Sequence, residues 1–310
     1  MAEAIEVQDL HKSYGDYEAV RGISFTVGAG ESVALLGPNG AGKTTTVEVL
    51  EGYRRPSSGR VRVLDMDPST AGTALRERVG IVLQDAGFLP ELTVSELVEA
   101  WRTYYPNPMD RDEAIAAVGL EHRRDIRTKN LSGGEHRRLD VALGLVGRPE
   151  VLFLDEPTTG FDPSARRAVW ELIQRLVGRG MTLLLTSHYL EEAQALADRI
   201  VIISEGHIVA EGTPDEIGGR GAAPGIVSFV LPPGLTVAEL PAVPSGAKTE
   251  VREGHVRVTA PDLVGITHLI TGWAVDRGID LAGFRAERPT LEDTYLAIIG
   301  ELPAQSDGAP

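Results

Sequence analysis

One segment near the N-terminus constrains the fold more than any other part of this chain. Residues Gly37–Thr46 read GPNGAGKTTT and fit the pattern G-x-x-x-x-G-K-[ST]. The apolar run Ser32–Leu36 precedes the segment, and a plausible helix, Thr45–Leu50, follows it. Glycines let a backbone wrap closely around a polyphosphate, and a helix N-terminus adds unpaired N–H donors. The pattern therefore predicts a phosphate-binding loop between a buried strand and a helix. The alternative is a glycine-rich turn without a ligand.

Two side chains of this loop suit a nucleotide phosphate and its metal ion. Lys43 is expected to hold the β- and γ-phosphates, and Thr44 to offer its hydroxyl to magnesium. The whole chain carries a net charge of −15, which disfavours non-specific binding to nucleic acid or to anionic lipid. An anionic nucleotide must therefore bind through a local site such as this loop.

The composition is that of a globular protein. The 310 residues leave room for roughly two domains, and 42% hydrophobic with 24% charged residues can form a buried core. Cysteine is absent, which excludes a disulfide framework, a thiolate zinc site and a cysteine nucleophile. The N-terminus shows no secretory pattern, and no apolar run approaches the ~18–20 residues that span a bilayer.

Hydrophobic periodicity predicts an α/β domain with a helical insertion. Strand-like runs alternate with turns before the phosphate loop and recur after it. Between residues 92 and 147 the period becomes helical, at Val94–Tyr104, Arg111–Gly119 and Glu135–Leu145. Thr93 or Ser95 is expected to cap the first of these helices, and Asp110 the second.

A second glycine-rich turn, Leu131–Glu135, reads LSGGE and directly opens a predicted helix. Ser132 is a favourable N-cap, and free N–H groups at such a helix start can bind an anion. The turn is therefore either a capped helix start or a second phosphate contact. Arg137 and Arg138 do not decide between the two, because arginines on an exposed helix face are usually solvated.

Two adjacent carboxylates end an apolar strand. Val151–Pro157 reads VLFLDEP, as expected of a buried parallel strand whose carboxyl end reaches the ligand edge of an α/β sheet. One carboxylate, Asp155 or Glu156, can hold magnesium while its neighbour activates a water. Two buried acids without a cation would be costly, which favours a functional site.

Three other polar residues are candidates for the same site, each with an ordinary alternative. Gln84 follows the predicted strand Val79–Leu83 and could contact magnesium or water, or simply end the strand. His188 follows another predicted strand and could face the crevice, or be a satisfied core histidine. Tyr14 lies in a turn and could stack on a base, or be an ordinary strand-end tyrosine.

The residues after about 217 predict a small separate domain. A glycine-rich linker, Gly218–Gly225, is followed by alternating strand-like and helical segments. The strands are predicted at Ile226–Leu231, Glu250–Glu253, His255–Thr259 and Asp280–Ala286, with helices at Pro261–Asp276 and Leu291–Ile299. His255 and His268 stand alone in sequence, so this α+β part has no catalytic spacing. The tail from Leu302 onward is expected to be disordered.

These motifs together resemble one known family. GPNGAGKTT, the strand-end Gln84, LSGGE, VLFLDEPTTGFD and the strand-end His188 occur in the order and spacing of the ATP-binding cassette of ABC transporters. The resemblance covers about residues 3–217. It implies a P-loop NTPase of α/β class with a mixed sheet core, an antiparallel β subdomain and a helical subdomain. Including Arg288–Tyr295, the chain further resembles drug-exporter ATPases of the daunorubicin-resistance type.

The sequence patterns and the resemblance together predict four segments along the chain. These are a cassette over 1–217 with its helical subdomain at about 85–147, a linker over 218–225, an α+β accessory domain over 226–300, and a disordered tail over 301–310.

The resemblance also implies a role for each matching residue. ATP would be bound by Tyr14 on adenine and by the loop residues Gly37, Pro38, Asn39, Gly40, Ala41, Gly42, Lys43, Thr44 and Thr45. Magnesium would be bound by Thr44, Gln84 and Asp155. Catalysis would use Glu156 as general base, with His188 near the γ-phosphate and Gln84 sensing magnesium. The nucleotide of an opposing cassette would contact Ser132, Gly133 and Gly134, with Asp162 at the dimer interface.

Two positions depart from the family pattern. Glu135 stands where glutamine is usual, and Phe161 where leucine is common. Neither removes a phosphate ligand, so an active ATPase is expected.

The leading functional hypothesis is the ATPase subunit of an exporter. ATP binding would close a homodimer of cassettes, and a separately encoded membrane permease would respond at the cytoplasmic face of the membrane. Asp85–Glu96 is the candidate docking surface for that permease.

Two alternatives belong to other classes. A soluble cassette ATPase acting on ribosomes or DNA would carry two cassettes or long coiled coils, which this chain lacks. An importer ATPase would typically have a larger β-barrel at its C-terminus.

Overall fold

The computed structural model of this protein describes residues 2–83, 87, 89–218, 224–232, 234–252, 254–288 and 295. The chain divides into two compact units, Met1–Thr213 and Pro214–Pro310. Several sequence predictions lie outside the described residues: Gln84, most of the linker, the helix over Leu291–Ile299 except Tyr295, and the tail over 301–310.

The first unit alternates strands and helices. In chain order they are β1 (Glu3–Tyr14), β2 (Tyr17–Gly28), β3 (Ser32–Leu36), α1 (Lys43–Leu50), β4 (Ser58–Val63), α2 (Pro68–Ala71), α3 (Thr73–Arg76), β5 (Val79–Val82), α4 (Val94–Arg102), α5 (Arg111–Ala117), α6 (Gly133–Leu145), β6 (Val151–Asp155), α7 (Pro163–Val177), β7 (Thr182–Ser187), α8 (Leu190–Leu196), β8 (Arg199–Ser204) and β9 (His207–Gly212). Two short 3-10 helices, Glu121–Arg123 and Thr128–Asn130, lie between α5 and α6.

A sheet with the strand order β5-β6-β7-β3-β8-β9 forms the centre of this unit among the described residues. Its neighbouring strands are parallel except for β9, which pairs antiparallel with β8. The strands β3, β6 and β7 are buried along their whole length, because both faces of the sheet are covered. The carboxyl ends of these three strands meet at one edge, where ligands bind in open α/β sheets.

A smaller antiparallel sheet, in the order β2-β1-β4, covers one face of the central sheet. Alternate residues of the central strands, such as Val33 and Leu35 of β3 and Phe153 of β6, join one core with this sheet and with α1. Full burial of such side chains contributes roughly 1.5–3 kcal/mol each. The same core therefore fixes the strand before the phosphate loop and the helix after it.

Three helices form the insertion between β5 and β6. The helices α4, α5 and α6 pack on one another, and α6 packs on β5. Thr93 caps α4 in a capping box with Glu96, and Asp110 caps α5 by accepting from two backbone N–H groups. The predicted caps at Thr93 and Asp110 are confirmed, and Ser95, the other candidate, lies inside α4.

The second unit contains α9 (Pro214–Ile217), β10 (Gly225–Val230), β11 (Lys248–Arg252), β12 (His255–Ala260), α10 (Leu263–Arg277) and β13 (Arg285–Glu287), with a 3-10 helix at Val237–Glu239. Its antiparallel sheet has the order β11-β12-β10-β13. The helix α10 packs on this sheet through Ile266 and Ile270.

The strand predicted over Asp280–Ala286 is wrong for most of its length. Only Arg285 and Ala286 of that segment form strand pairs with β10, although Ala282 O also accepts from the Val230 N–H at 2.9 Å. The preceding residues form a turn, in which Phe284 N–H donates to Leu281 O at 3.2 Å and Gly283 has a φ of 67°. Glycine permits this positive φ, and the turn ends the extended conformation.

In the ranges that the structure describes, no helix is long and apolar enough to cross a membrane.

Candidate nucleotide-binding site

The loop between β3 and α1 closely approaches neighbouring backbone at two of its glycines. A Cβ atom on Gly37 would lie 2.1 Å from the carbonyl oxygen of Ile203, and one on Gly42 would lie 2.5 Å from that of Ala19. Gly42 also has a φ of 103°, which side chains rarely tolerate, and it forms the N-cap of α1 without a side-chain cap. The first N–H groups of α1 are therefore available to an anion.

Lys43 is a buried cation held over this loop. Its side chain is 5% exposed, and its ammonium donates to the carbonyl oxygens of Gly37 at 2.7 Å and Pro38 at 3.0 Å. Burial lowers the pKa of Lys43, and the charges of Glu156 and Asp155 oppose that shift. Lys43 is thus placed to exchange carbonyl oxygens for phosphate oxygens as its partners.

Asp155 ends β6 and bonds to the neighbouring strand. The Thr186 hydroxyl on β7 donates to Asp155 Oδ1. Burial raises the pKa of Asp155, although the bond from Thr186 and the nearby cations oppose the shift. A carboxylate that is costly to ionise when buried gains from an added cation, as at a metal site.

Glu156 lies directly after β6 and has an uncommon backbone conformation. Its φ is 43°, in the left-handed region, and its N–H donates to Thr186 Oγ1 at 3.0 Å. The Thr159 hydroxyl donates to Glu156 Oε2 at 2.9 Å. His188 Nδ1, which follows β7, lies 3.3 Å from Glu156 Oε1. The carboxylate is therefore held between two polar side chains at the sheet edge.

A cavity of about 580 Å³ brings these residues together. Its lining includes the loop residues Asn39–Thr45, the carboxylate Glu156 with Thr159 and His188, and the aromatic rings of Tyr14 and Tyr17. Tyr14 ends β1 and is 40% exposed, and the cations of Lys12 and Arg54 lie 5.1 and 5.6 Å from the centre of its ring. This combination of a phosphate loop, a partly exposed aromatic ring and a carboxylate fits a nucleoside triphosphate.

Thr44 faces a second cavity as well. Thr44 and Asp155 line this neighbouring space of about 490 Å³, together with Glu51. A hydroxyl and a carboxylate are oxygen ligands of the kind magnesium prefers, and magnesium usually takes its remaining ligands from water and phosphate. The residues present therefore suit Mg²⁺.

The structure places the LSGGE turn at the start of α6. Ser132 is the N-cap, and it forms a capping box with Glu135. Ser132 and Gly133 are exposed, and Gly134 is half-buried. None of these three is among the residues lining the 580 Å³ cavity of the described chain. Asp162 caps α7 and is also outside that lining.

The two departures from the family pattern have local contacts. Besides its capping role, Glu135 accepts from Arg123 Nε at 2.7 Å, so its charge is paired. Phe161 lies against the α6 turn, since a Cβ atom added to Gly133 would be 3.9 Å from the Phe161 ring.

Two buried residues near the site were not predicted from the sequence. The hydroxyl of Thr186, on β7, links Asp155 and Glu156. Arg137 was expected to be solvated and is instead 4% exposed, donating to backbone carbonyls at the ends of β5 and β6. The expectation failed because α6 packs on the central sheet at this position rather than facing solvent.

The fold and site define a P-loop nucleotide-binding cassette. Residues 20–159 match the family described as ABC transporter, and residues 226–290 match the C-terminal domain of ABC transporter domain-containing proteins. The daunorubicin resistance ATP-binding protein DrrA3 of Streptomyces coeruleorubidus is 36% identical over 96% of both chains. This protein therefore belongs to the ABC transporter family, as an ATP-binding subunit, and the family in general binds and hydrolyses ATP.

Other relatives and structures agree. The Nod factor export ATP-binding protein I of Rhizobium meliloti (strain 1021) is 42% identical over 68% of this chain, and the match spans 64% of that relative, just under two thirds of its length. The solved structure of cbiO1 from Clostridium perfringens, described as part of the ABC transporter complex cbiONQ, has a TM-score of 0.64 at 31% identity and covers 70% of this chain and 91% of its own. The predicted fold class is confirmed.

Proposed function

We propose that this protein is the ATP-hydrolysing subunit of an exporter, in which ATP-driven dimerisation of two cassettes drives a separate membrane permease. The observation that carries the hydrolytic part is the single cavity that holds the phosphate loop, Glu156 and His188. The exporter part is supported by relatives whose names contain "Nod factor export" and "daunorubicin resistance".

In the proposed reaction, the N–H groups of the loop and Lys43 bind the β- and γ-phosphates. Glu156 takes a proton from a water as that water's oxygen bonds to the γ-phosphorus and the bond to ADP breaks. His188 lies beside the Glu156 carboxylate and would contact the γ-phosphate. Magnesium, held by Thr44 and Asp155, with Gln84 as the third proposed ligand, would neutralise charge on the phosphates.

A second copy of the chain would complete each site. Ser132, Gly133 and Gly134 lie at the start of α6, outside the cavity of their own chain, and this position suits a phosphate held by another chain. Asp162 begins α7 and would lie at the interface. We therefore propose a homodimer with two ATP molecules, each bound by the loop of one chain and the α6 start of the other.

Mixing two inactive variants tests this shared site. Lys43→Ala removes the phosphate cation, and Ser132→Arg obstructs the α6 start. A mixed dimer retains one site with an intact loop and an intact α6 start, so an equimolar mixture should regain partial ATPase activity. Each variant alone is the control. A mixture that stays as inactive as its components at every ratio would contradict shared sites.

A groove beside β5 supports docking of a membrane partner. Leu83, Leu89 and Leu97 line this space of about 460 Å³, together with the aromatic residues Tyr53, Trp101, Tyr104 and Tyr105. Leu89 lies within the proposed docking segment Asp85–Glu96, and Leu97 directly follows it. Apolar grooves with aromatic walls are suited to a helix from a partner protein.

Location in the cell tests the exporter role. A tagged chain should co-purify from the membrane fraction with a polytopic membrane protein. It should lie on the cytoplasmic face of the membrane, and ligands of the complex should raise its ATPase rate. Leu89→Asp, at a residue that is 62% exposed, should reduce this association without changing ATP affinity. Recovery of the chain only with ribosomes, or only in the soluble fraction, would contradict the exporter role.

A further inference from the structure

Arg137 reaches from α6 to the ends of two strands of the central sheet. Its Nε donates to Pro157 O at 2.9 Å, its Nη2 donates to Asp155 O at 2.9 Å, and its Nη1 donates to Leu83 O. All three partners are backbone carbonyls, and Arg137 is 4% exposed. The buried guanidinium therefore holds three main-chain carbonyl groups in place.

Two of these carbonyls lie on either side of Glu156 in sequence. Glu156 has a φ of 43°, and a non-glycine residue keeps such a conformation only where its surroundings hold it. On the other side, the Glu156 N–H donates to Thr186 Oγ1 at 3.0 Å. Arg137 and Thr186 together hold the uncommon backbone turn that aims the Glu156 side chain.

The planar guanidinium is suited to this task. Its donors diverge in a fixed fork, so one side chain bonds three separate carbonyls at once. Asp140 Oδ2 lies 3.7 Å from Arg137 Nη1 and compensates the buried charge. A lysine at this position would carry the same charge but concentrate its donors at one atom, and it could not bond all three carbonyls.

We propose that Arg137 is a positioning residue for Glu156: it holds the carbonyls of Asp155 and Pro157 and so keeps the Glu156 carboxylate aimed at the attacking water. The proposal rests on the hydrolytic role of Glu156 given above. Arg137 also belongs to the helix that begins at Ser132, so a test must separate an effect on Glu156 from an effect on the α6 start.

The first measurement separates turnover from nucleotide affinity. Arg137→Gln should lower kcat about 10- to 100-fold, the loss expected from misplacing a reacting group by about 1 Å. Its Kd for ATP should stay within about twofold of the unchanged protein, because the loop and Tyr14 are not altered. Arg137→Lys should lose less, and Arg175→Gln, at an exposed position of α7, should change neither quantity. An ATP affinity that falls in parallel with kcat would overturn the proposal.

The second measurement uses the mixed dimers. In a mixture of Ser132→Arg and Lys43→Ala chains, the intact site takes Glu156 from the Ser132→Arg chain and the α6 start from the Lys43→Ala chain. Arg137→Gln is placed in one chain or the other. If the recovered activity is lost only when Arg137→Gln is on the same chain as Ser132→Arg, the result supports positioning of Glu156. Equal loss in both placements, or loss only in the other chain, overturns it.

The two measurements distinguish a failure of the proposed function from a failure of the role proposed for Arg137. If the parent mixture recovers no activity, the shared site of the proposed function fails, and the comparison of kcat with ATP affinity alone decides the role of Arg137. Circular dichroism spectra and thermal midpoints identify a variant that fails to fold, in which case Arg137→Lys replaces Arg137→Gln in both measurements.

Discussion

At the scale of single residues, Glu51 is an unusual buried acid. It ends α1, is 5% exposed, and lines the same cavity as Thr44 and Asp155. Burial, with smaller contributions from Asp155 and Glu48, raises its pKa to about 8. The Glu51 carboxyl is therefore mostly protonated at neutral pH in the metal-free protein.

This pKa shift predicts that Glu51→Gln increases the stability of the fold by an amount that depends on pH. Between the reference pKa of 4.5 and about 8, the folded chain binds a proton that the unfolded chain has lost, so stability falls as the pH rises through this window. The cost is on the order of a few kcal/mol at pH 8 and vanishes below the reference pKa. Glu51→Gln removes the ionisable group and should raise the thermal midpoint at pH 8 more than at pH 4.5, in EDTA.

Glu171→Gln is the control for this prediction. Glu171 is exposed on α7 and is not among the groups that raise the pKa of Glu51. Its substitution should leave the difference between the thermal midpoints at pH 8 and pH 4.5 as it is in the unchanged protein. A gain for Glu51→Gln that is equal at both pH values would show that the carboxyl does not titrate as described.

Side chains that act within a local motif were predictable from sequence, and those that act through tertiary packing were not. The pattern around Lys43 and Thr44 specifies its own strand, loop and helix, so the cavity position of both residues could be anticipated. Arg137 and Thr186 bond to segments 18 to 54 and 30 to 31 positions away along the chain, respectively. No local pattern encodes such contacts.

At the scale of elements, the junction of β6 and β7 orders the two site carboxylates. The Thr186 hydroxyl donates to Asp155 and accepts from the Glu156 N–H. The Thr186 side chain on β7 thus bonds both Asp155, the last residue of β6, and Glu156, the residue after it.

Thr186→Val should damage this junction while preserving its shape. The change leaves the half-buried Glu156 N–H without this acceptor and the Asp155 carboxylate without this donor, at a cost of about 1–3 kcal/mol. It should lower the ATPase rate as Glu156 shifts. Thr186→Ser keeps the hydroxyl and should remain near the unchanged protein in both urea midpoint and rate. If Val and Ser at this position behave alike, the hydroxyl is not what holds the junction.

Helices whose N-capping residues are recognisable in the sequence were predicted better than elements without such residues. The capping residues Thr93 and Asp110 fixed the starts of α4 and α5 correctly. The helix α8 was not predicted, because its N-cap, Tyr189, makes no side-chain cap and the helix has only 7 residues. Part of the strand predicted over Asp280–Ala286 was replaced by a turn.

At the scale of the whole molecule, the cavity of one chain forms only part of each proposed ATP site, and a second copy supplies the rest. The 580 Å³ cavity holds the loop, the ring of Tyr14 and the Glu156 carboxylate, while Ser132 and its neighbours on α6 face outward from the chain. ATP would thus join two copies, and hydrolysis would separate them. In this account the chemical step and the change of assembly depend on the same carboxylate.

The most direct test of this account is the mass of the Glu156→Gln variant in solution, measured by light scattering while its ATP turnover is followed. With ATP and magnesium the mass should rise from that of one 33.2 kDa chain to twice that value, and turnover should fall by about 100-fold or more. With ADP, or with Lys43→Ala added, the chain should stay monomeric. A variant that turns over ATP at the full rate, or that stays monomeric with ATP and magnesium, would contradict the central claim.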